Sequence, residues 1–209
     1  MTAEDLEAER RRLAVRALEL TRKRGEAISL VMLAAEEGIA RARLEQIYTD
    51  DDGLFEAVAE LWMEPLIAEM EAVLESDLPP NRKMYEFFAR RFRISRERYR
   101  RDPAGFALIC ELGAARFERV RSFVDLADHY LSELIAHAQA DGYFAGLGID
   151  ETLSLINQMV ANYTLPDTLI YIDEKLSEEK LARIIDTIFI GLSAEDGGAR
   201  GINTIRLAK

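Results

Sequence analysis

The 209-residue sequence predicts an all-α protein: an N-terminal three-helix helix-turn-helix domain joined by a long helix to a C-terminal helical bundle that dimerises. Three observations carry that expectation. Apolar residues recur at three- and four-residue intervals along most of the chain, and no strand-turn-strand pattern with alternating apolar residues interrupts them. Glycine and proline fall where the periodic segments stop. Near the N-terminus two short periodic segments flank Gly38 behind a longer one, which is the helix-turn-helix arrangement.

Each element has its own signal. Thr2 and Asp5 have capping-box spacing and open a first helix that carries Leu6, Leu13, Ala17 and Leu18 and stops at Gly25. Ser29 caps a short helix running to about Glu37, and Gly38 turns the chain into a second short helix over 39–48. Asp50, Asp51 and Asp52 sit at the start of the next helix, where partial positive charge favours carboxylates. That helix is long, bears Leu54, Val58, Leu61, Trp62, Leu66, Met70 and Val73 on one stripe, and contains Pro65, which removes a backbone donor and kinks it. LPPN at 78–81 ends it.

From Asn81 a further helix shows Tyr85, Phe88, Phe92, Ser95 and Tyr99, and Asp102-Pro103 caps its successor, which holds Phe106, Ile109, Cys110 and Gly113. Helices over 117–141, 150–165 and 177–193 follow, the last with Leu181, Ile184, Ile185, Ile188 and Leu192 on one face. The expected domains are 1–52, 53–193 and a mobile tail over 194–209, whose DGG and Gly201 are turn-forming.

Composition narrows the class. Hydrophobic residues make up 49 % and charged residues 31 % of the chain, ordinary for a globular protein, and no apolar run approaches the roughly 18 residues of a membrane span. The N-terminus lacks a secretory apolar stretch, and the lone Cys110 cannot form an internal disulfide; both point to a reducing cytoplasmic setting, with Cys110 a small buried hydrophobe. The net charge of −11 argues against a protein that coats nucleic acid, but the charge is segregated. Residues 10–24 hold seven bases against Glu19 alone, residues 50–75 hold nine acids and no base, and residues 82–101 hold nine bases against Glu86 and Glu97.

The segments LAVRALELTRKRG, ISLVMLAAEEGIARARLEQIY and LFEAV, across residues 10–60, resemble the DNA-binding region of the tetracycline-repressor (TetR) family. Ala17 and Leu18 fall where that family packs its first helix, Ser29 matches the hydroxyl that caps its second, and Leu33-Ala34 matches an Ile-Ala pair. Gly38-Ile39 matches the turn, Leu44 and Tyr48 the residues that seat the recognition helix, and Leu54 the leucine opening the connecting helix. The resemblance implies a dimeric regulator that binds a palindromic double-stranded DNA operator and answers to a small effector. On these positions the DNA-binding residues are Arg10, Arg11, Arg12, Ser29, Arg41, Arg43, Gln46 and Tyr48. The chain departs from the pattern at Ala40, where a capping serine is usual, at Ala42 for glycine, at Glu45 for tyrosine and at Asp51 for lysine. Two phosphate contacts thus become acids, which costs affinity because backbone contacts dominate it. Arg41 and Arg43 begin the recognition helix, where arginine reads guanine bidentately.

The C-terminal part supplies Trp62, Tyr85, Phe88, Phe106, Cys110, Phe117, Tyr130 and Tyr163 as candidate lining for an apolar or aromatic effector, with Phe123 as a further aromatic. The stripe Asp125, His129, Glu133, His137 lies along one helix instead of converging on a point, so it reads as a solvated face with no metal site. The two most apolar late helices, around 153–160 and 181–192, are the expected four-helix homodimer interface. No nucleophile elbow, phosphate-cradling loop or Cys/His spacing marks an enzyme, and no cofactor is expected. Two readings stay open: a ligand-released DNA-binding repressor, and a TetR-like dimeric ligand-binding or interaction module that has lost sequence-specific DNA binding.

Overall fold

A computed structural model of the chain describes residues 2–195, 197 and 198. Among them the chain is helical and forms no strand: α1 Ala3–Arg24, α2 Leu30–Glu37, α3 Arg41–Ile47, α4 Asp51–Leu74, α5 Pro80–Arg101, α6 Pro103–Ala115, α7 Phe117–Ala140, α8 Ile149–Thr164, α9 Thr168–Ile172 and α10 Glu178–Leu192. Two compact units emerge, one of the described residues up to Pro65 with Glu97–Val124, the other of Leu66–Arg96 with the described residues from Asp125 onward. The division passes through α4, α5 and α7, and in α4 it falls at Pro65, where the helix lacks one backbone donor.

In the first unit the helix ends follow local chemistry. Thr2 and Asp5 form a reciprocal capping box at the start of α1, and Gly25 closes it in the left-handed region at φ 72°. Ser29 Oγ accepts from the Met32 N–H at 3.3 Å to cap α2, and Gly38, φ 65°, makes the turn. α3, the expected recognition helix, spans seven residues, shorter than the 39–48 segment the sequence suggests. Ala40 has no side-chain oxygen to cap it, and the backbone becomes extended at Tyr48. Leu13, Ala17 and Leu20 of α1, Leu30 and Leu33 of α2, Leu44 of α3, Tyr48, and Leu54 and Ala57 of α4 close around one core. Burying that set supplies the main driving force for holding the short helices, which are too brief to be stable alone.

α1 packs on α6. Asp102 caps α6 by accepting from the Gly105 N–H at 3.0 Å, and a Cβ at Gly105 would lie 2.2 Å from the Asp102 carboxylate, so a larger residue there would push the capping side chain aside. Cys110 of α6 is only partly buried, short of the full burial expected for it.

The second unit buries Met84, Phe87, Phe88 and Phe92 of α5 together with Leu131, Leu134 and Ile135 of α7, Ile156 and Val160 of α8, and Leu181, Ile185 and Ile188 of α10. Phe144, in the turn after α7, packs on Phe189 with ring centroids 4.8 Å apart. The five-residue helix α9 and the 3₁₀ turn Asp173–Lys175 carry no periodic signal of their own; buried Leu169 and contacts with α8 hold α9, and Arg96 of α5 donates to Asp173 of the turn. Most of the expected 194–209 tail lies outside the described residues. No described helix is long and apolar enough to cross a membrane.

Candidate nucleic-acid interface and ligand-binding residues

The recognition helix presents Arg41, Arg43 and Gln46 to solvent while Leu44 and Tyr48 face inward. Seven residues give two turns, enough to project one face while Leu44 anchors the other. Tyr48 is 2 % exposed, and its hydroxyl donates to the Arg10 carbonyl. Burial pushes that phenol up to about 12. Among the DNA-binding candidates Tyr48 therefore sits as the bolt between α1 and the end of α3. Ser29 is the α2 cap.

The arginines of α1 and α3 are held by carboxylates. Arg10 donates to Glu60 at 2.8 Å and Arg11 chelates Glu64 at 3.1 and 2.7 Å, tying α1 to the acid-rich α4. Arg12 and Arg16 share Glu37 of α2 at 2.7 and 3.1 Å. Arg41 donates to Glu45 one turn on at 2.8 Å, and Arg43 donates to Glu9 at 2.6 Å. These hydrogen bonds favour both charged forms: the carboxyls of Glu64 and Glu37 lie below the usual range, and Arg10 and Arg11 lie above theirs. Residues 1–50 hold nine bases and ten acids, so the pairing leaves this region close to neutral.

Neither substituted acid is idle. Glu45 orients Arg41, and Asp51 Oδ1 accepts from the Leu30 N–H at 2.7 Å, joining Ser29 in satisfying the start of α2. The sequence reading missed Glu9, Glu37, Glu60 and Glu64 as partners. For Glu60 and Glu64 a signal was present: the base-rich stretch 10–24 and the acid-only stretch 50–75 are complementary in charge.

The effector candidates divide between the units. In the first, Trp62 and Phe106 meet at 6.1 Å between ring centroids, Tyr99 adds an edge contact on Phe106 at 5.7 Å, and Arg98 stacks on Trp62 at 4.3 Å while donating to the Trp62 carbonyl. Loss of solvent pushes the Arg98 guanidinium down to about 10. Cys110 is partly buried, and Phe117 is 44 % exposed. In the second unit Phe88 packs edge-on against Phe87, and Tyr163 meets Phe92 at 5.1 Å with its hydroxyl donating to the Ser177 carbonyl. Tyr85 and Tyr130 donate to Glu178 and Glu71. Trp62–Phe106 is thus the one pair of the eight candidates for which a direct ring contact is seen. The His129–Glu133 pair at 2.9 Å is exposed, and no metal-holding cluster occurs among the described residues.

The family described as "Tetracyclin repressor-like, C-terminal domain" matches residues 80–185, just over half of the chain. The chain belongs to the TetR family. Among solved structures this TetR-family chain is similar to the TetR family transcriptional regulator PfmR from Thermus thermophilus, at 20 % identity and a TM-score of 0.54, over 87 % of this chain and 98 % of that one. At that identity the likeness speaks for the fold. No curated protein matches the sequence. The family match lies in the half opposite to the one whose motif carries the sequence resemblance, so the two are independent. TetR membership makes DNA-binding transcriptional regulation the class of activity to which this fold belongs.

Proposed function

We propose that the protein is a cytoplasmic, homodimeric, ligand-responsive repressor that binds a palindromic operator through residues 1–52 and is released by a small apolar or aromatic effector held within residues 53–193. The observation that carries this reading is the solvent-facing trio Arg41, Arg43 and Gln46 on a helix seated by Leu44 and Tyr48. Arginines at the start of a recognition helix reach base edges, and guanine O6 and N7 suit their fork.

Magnitudes decide between the two readings that the sequence leaves open. An exposed ion pair contributes about 0–1 kcal/mol, while a bidentate arginine–guanine contact discriminates by about 1–3 kcal/mol. Arg41 and Arg43 side chains are 62 % and 45 % exposed, so exchanging Glu45 and Glu9 for DNA costs little. The pairs therefore favour selective binding with little non-specific affinity over loss of binding. The module reading draws on the near-neutral head and keeps its place as the alternative.

Dimerisation through α8 and α10 fits the apolar side chains they leave in solvent, Met159 at 44 % and Ile190 at 78 % exposure. An effector shifts the operator-competent population by its differential affinity for the two states, and Pro65 marks where α4 passes from one unit to the other.

Fluorescence anisotropy with the DNA flanking the protein's own gene, run over a salt series, tests the reading. Specific, salt-sensitive binding that Arg41→Ala or Arg43→Ala weakens about tenfold or more is expected. Equal retention of scrambled DNA with no effect of either variant would establish the module reading instead.

A further inference from the structure

Resting on the ligand-responsive reading above, we propose that Arg91 is the anchor for the carboxylate of an apolar organic acid bound within the second unit.

Arg91 differs from its neighbours on α5. Arg90 is held by Glu69 and Glu86, and Arg93 by Glu86 and Glu178. Arg91 makes no hydrogen bond or ion pair with any described residue. Its guanidinium lies 5.4 Å from the ring centroid of Phe87, which is wholly buried in the core of the unit. Asp128 of α7 is an opposite charge acting on it, and its Oδ1 already accepts from the Asn157 amide of α8 at 2.9 Å.

Two further facts describe the setting of this cation. Enough protein surrounds it that desolvation pushes the guanidinium down to about 10, against an ordinary value above 12. Yet Arg91 retains partial surface exposure, and among the described residues no fully buried side-chain nitrogen or oxygen lacks a partner. Its unpaired nitrogens are therefore open to accessible space. A cation that is poorly solvated, reachable and without an acceptor gains more from a bound anion than any surface arginine does.

The surroundings set the class of anion. The guanidinium fork fits a planar carboxylate, and the Phe87 face favours an apolar or aromatic body beside it. Asp128 repels a second negative charge, so a monoanion suits the site better than a phosphomonoester. The bound acid supplies the two acceptor oxygens that Asp128 withholds.

Calorimetric titration of the full chain with 3-phenylpropionate, octanoate and the corresponding uncharged amides tests this at neutral pH. The acids are expected to bind and the amides to bind at least about thirtyfold more weakly, the scale of losing one partner of a desolvated charge pair. Arg91→Gln loses the acids by a similar factor, and Arg91→Lys, a point charge without the fork, recovers part of the affinity. Equal binding of acid and amide overturns the assignment, as does unchanged acid binding by Arg91→Gln, or failure of the wild-type chain to bind either acid. Circular dichroism checks the folding of each variant, and the acid–amide contrast on the unaltered chain needs no variant. The same ligands added to the DNA complex separate the two proposals. Acid binding at Arg91 without DNA release removes the ligand-responsive reading and keeps the site. Release by uncharged ligands from the wild-type and Arg91→Gln chains alike keeps the reading and removes the site.

Discussion

Asp51, at the start of α4, accepts a hydrogen bond through Oδ1 from the Leu30 backbone N–H at 2.7 Å, and so helps to cap α2 from twenty-one residues away. A position where the TetR pattern places a lysine instead carries part of the scaffold of the helix-turn-helix. Asp51→Ala is expected to lower unfolding stability by about 1 kcal/mol, the usual worth of a cap, with Asp51→Asn retaining most of it because an acceptor oxygen remains. Urea denaturation measures both. Equal stability of the alanine variant and the wild-type chain would deny the cap its role.

Tyr48 separates a structural residue from a reading one. Its hydroxyl donates to the Arg10 carbonyl, and Tyr48→Phe removes that bond at an expected cost of about 1 kcal/mol. Because the ring faces the core, DNA affinity is expected to stay within about twofold of wild type when measured well below the melting temperature. Burial raises the phenol to about 12, so the folded state holds its proton more tightly than the unfolded chain. The associated stability is present below about pH 10, the ordinary phenol value, and declines as pH rises toward 12; Tyr48→Phe removes that part of the alkaline slope. A tenfold loss of DNA affinity in the same variant would reassign the residue.

Glu86 tests the charge network of α5. It is 8 % exposed and accepts from Arg82, Arg90 and Arg93 at 2.6, 3.2 and 3.0 Å. Burial by itself raises its carboxyl, but the hydrogen bonds of Arg90 and Arg93 and the charges of Arg82 and Arg93 outweigh it, and the net shift is downward. The unfolded chain thus takes up a proton first on acidification, and stability present above about pH 4.5 is lost as pH falls through the folded value. Glu86→Gln is expected to cost about 1–3 kcal/mol at neutral pH, less than a fully buried pair because the arginines stay partly in water, and to flatten the acid limb of the stability profile. Parallel acid limbs for the two proteins would exclude Glu86 as its source.

Ile190 tests the proposed dimer. An isoleucine at 78 % exposure on the last long helix is a poor surface residue unless covered. Light scattering is expected to show the wild-type chain as a dimer and Ile190→Asp as a monomer at the same concentration. A variant that remains dimeric moves the interface away from this face of α10.

The sequence by itself determined the helices and much of how they end. Thr2, Ser29, Gly25, Gly38 and Asp102 act on backbone groups within a few residues of themselves, so their effect is visible in local order. The apolar periodicity of residues 10–60 was legible for the same reason, and so was the resemblance built on it. The short α9 was not, because five residues are too few to show a helical period, and it is held by contacts with α8 and the following 3₁₀ turn. The ion pairs around the candidate DNA-binding residues were readable only as blocks of charge. Blocks of bases at 10–24 and acids at 50–75 stand out in one dimension, but which carboxylate meets which arginine is fixed when α1, α2 and α4 close on Leu13, Leu33 and Leu54. Tertiary structure alone brought Glu9 to Arg43, joined Arg10 to Glu60 across fifty residues of chain, and left Arg91 without a partner among the described residues. The physical reason is range: capping acts over one turn, while ion pairing follows spatial distance, which folding sets.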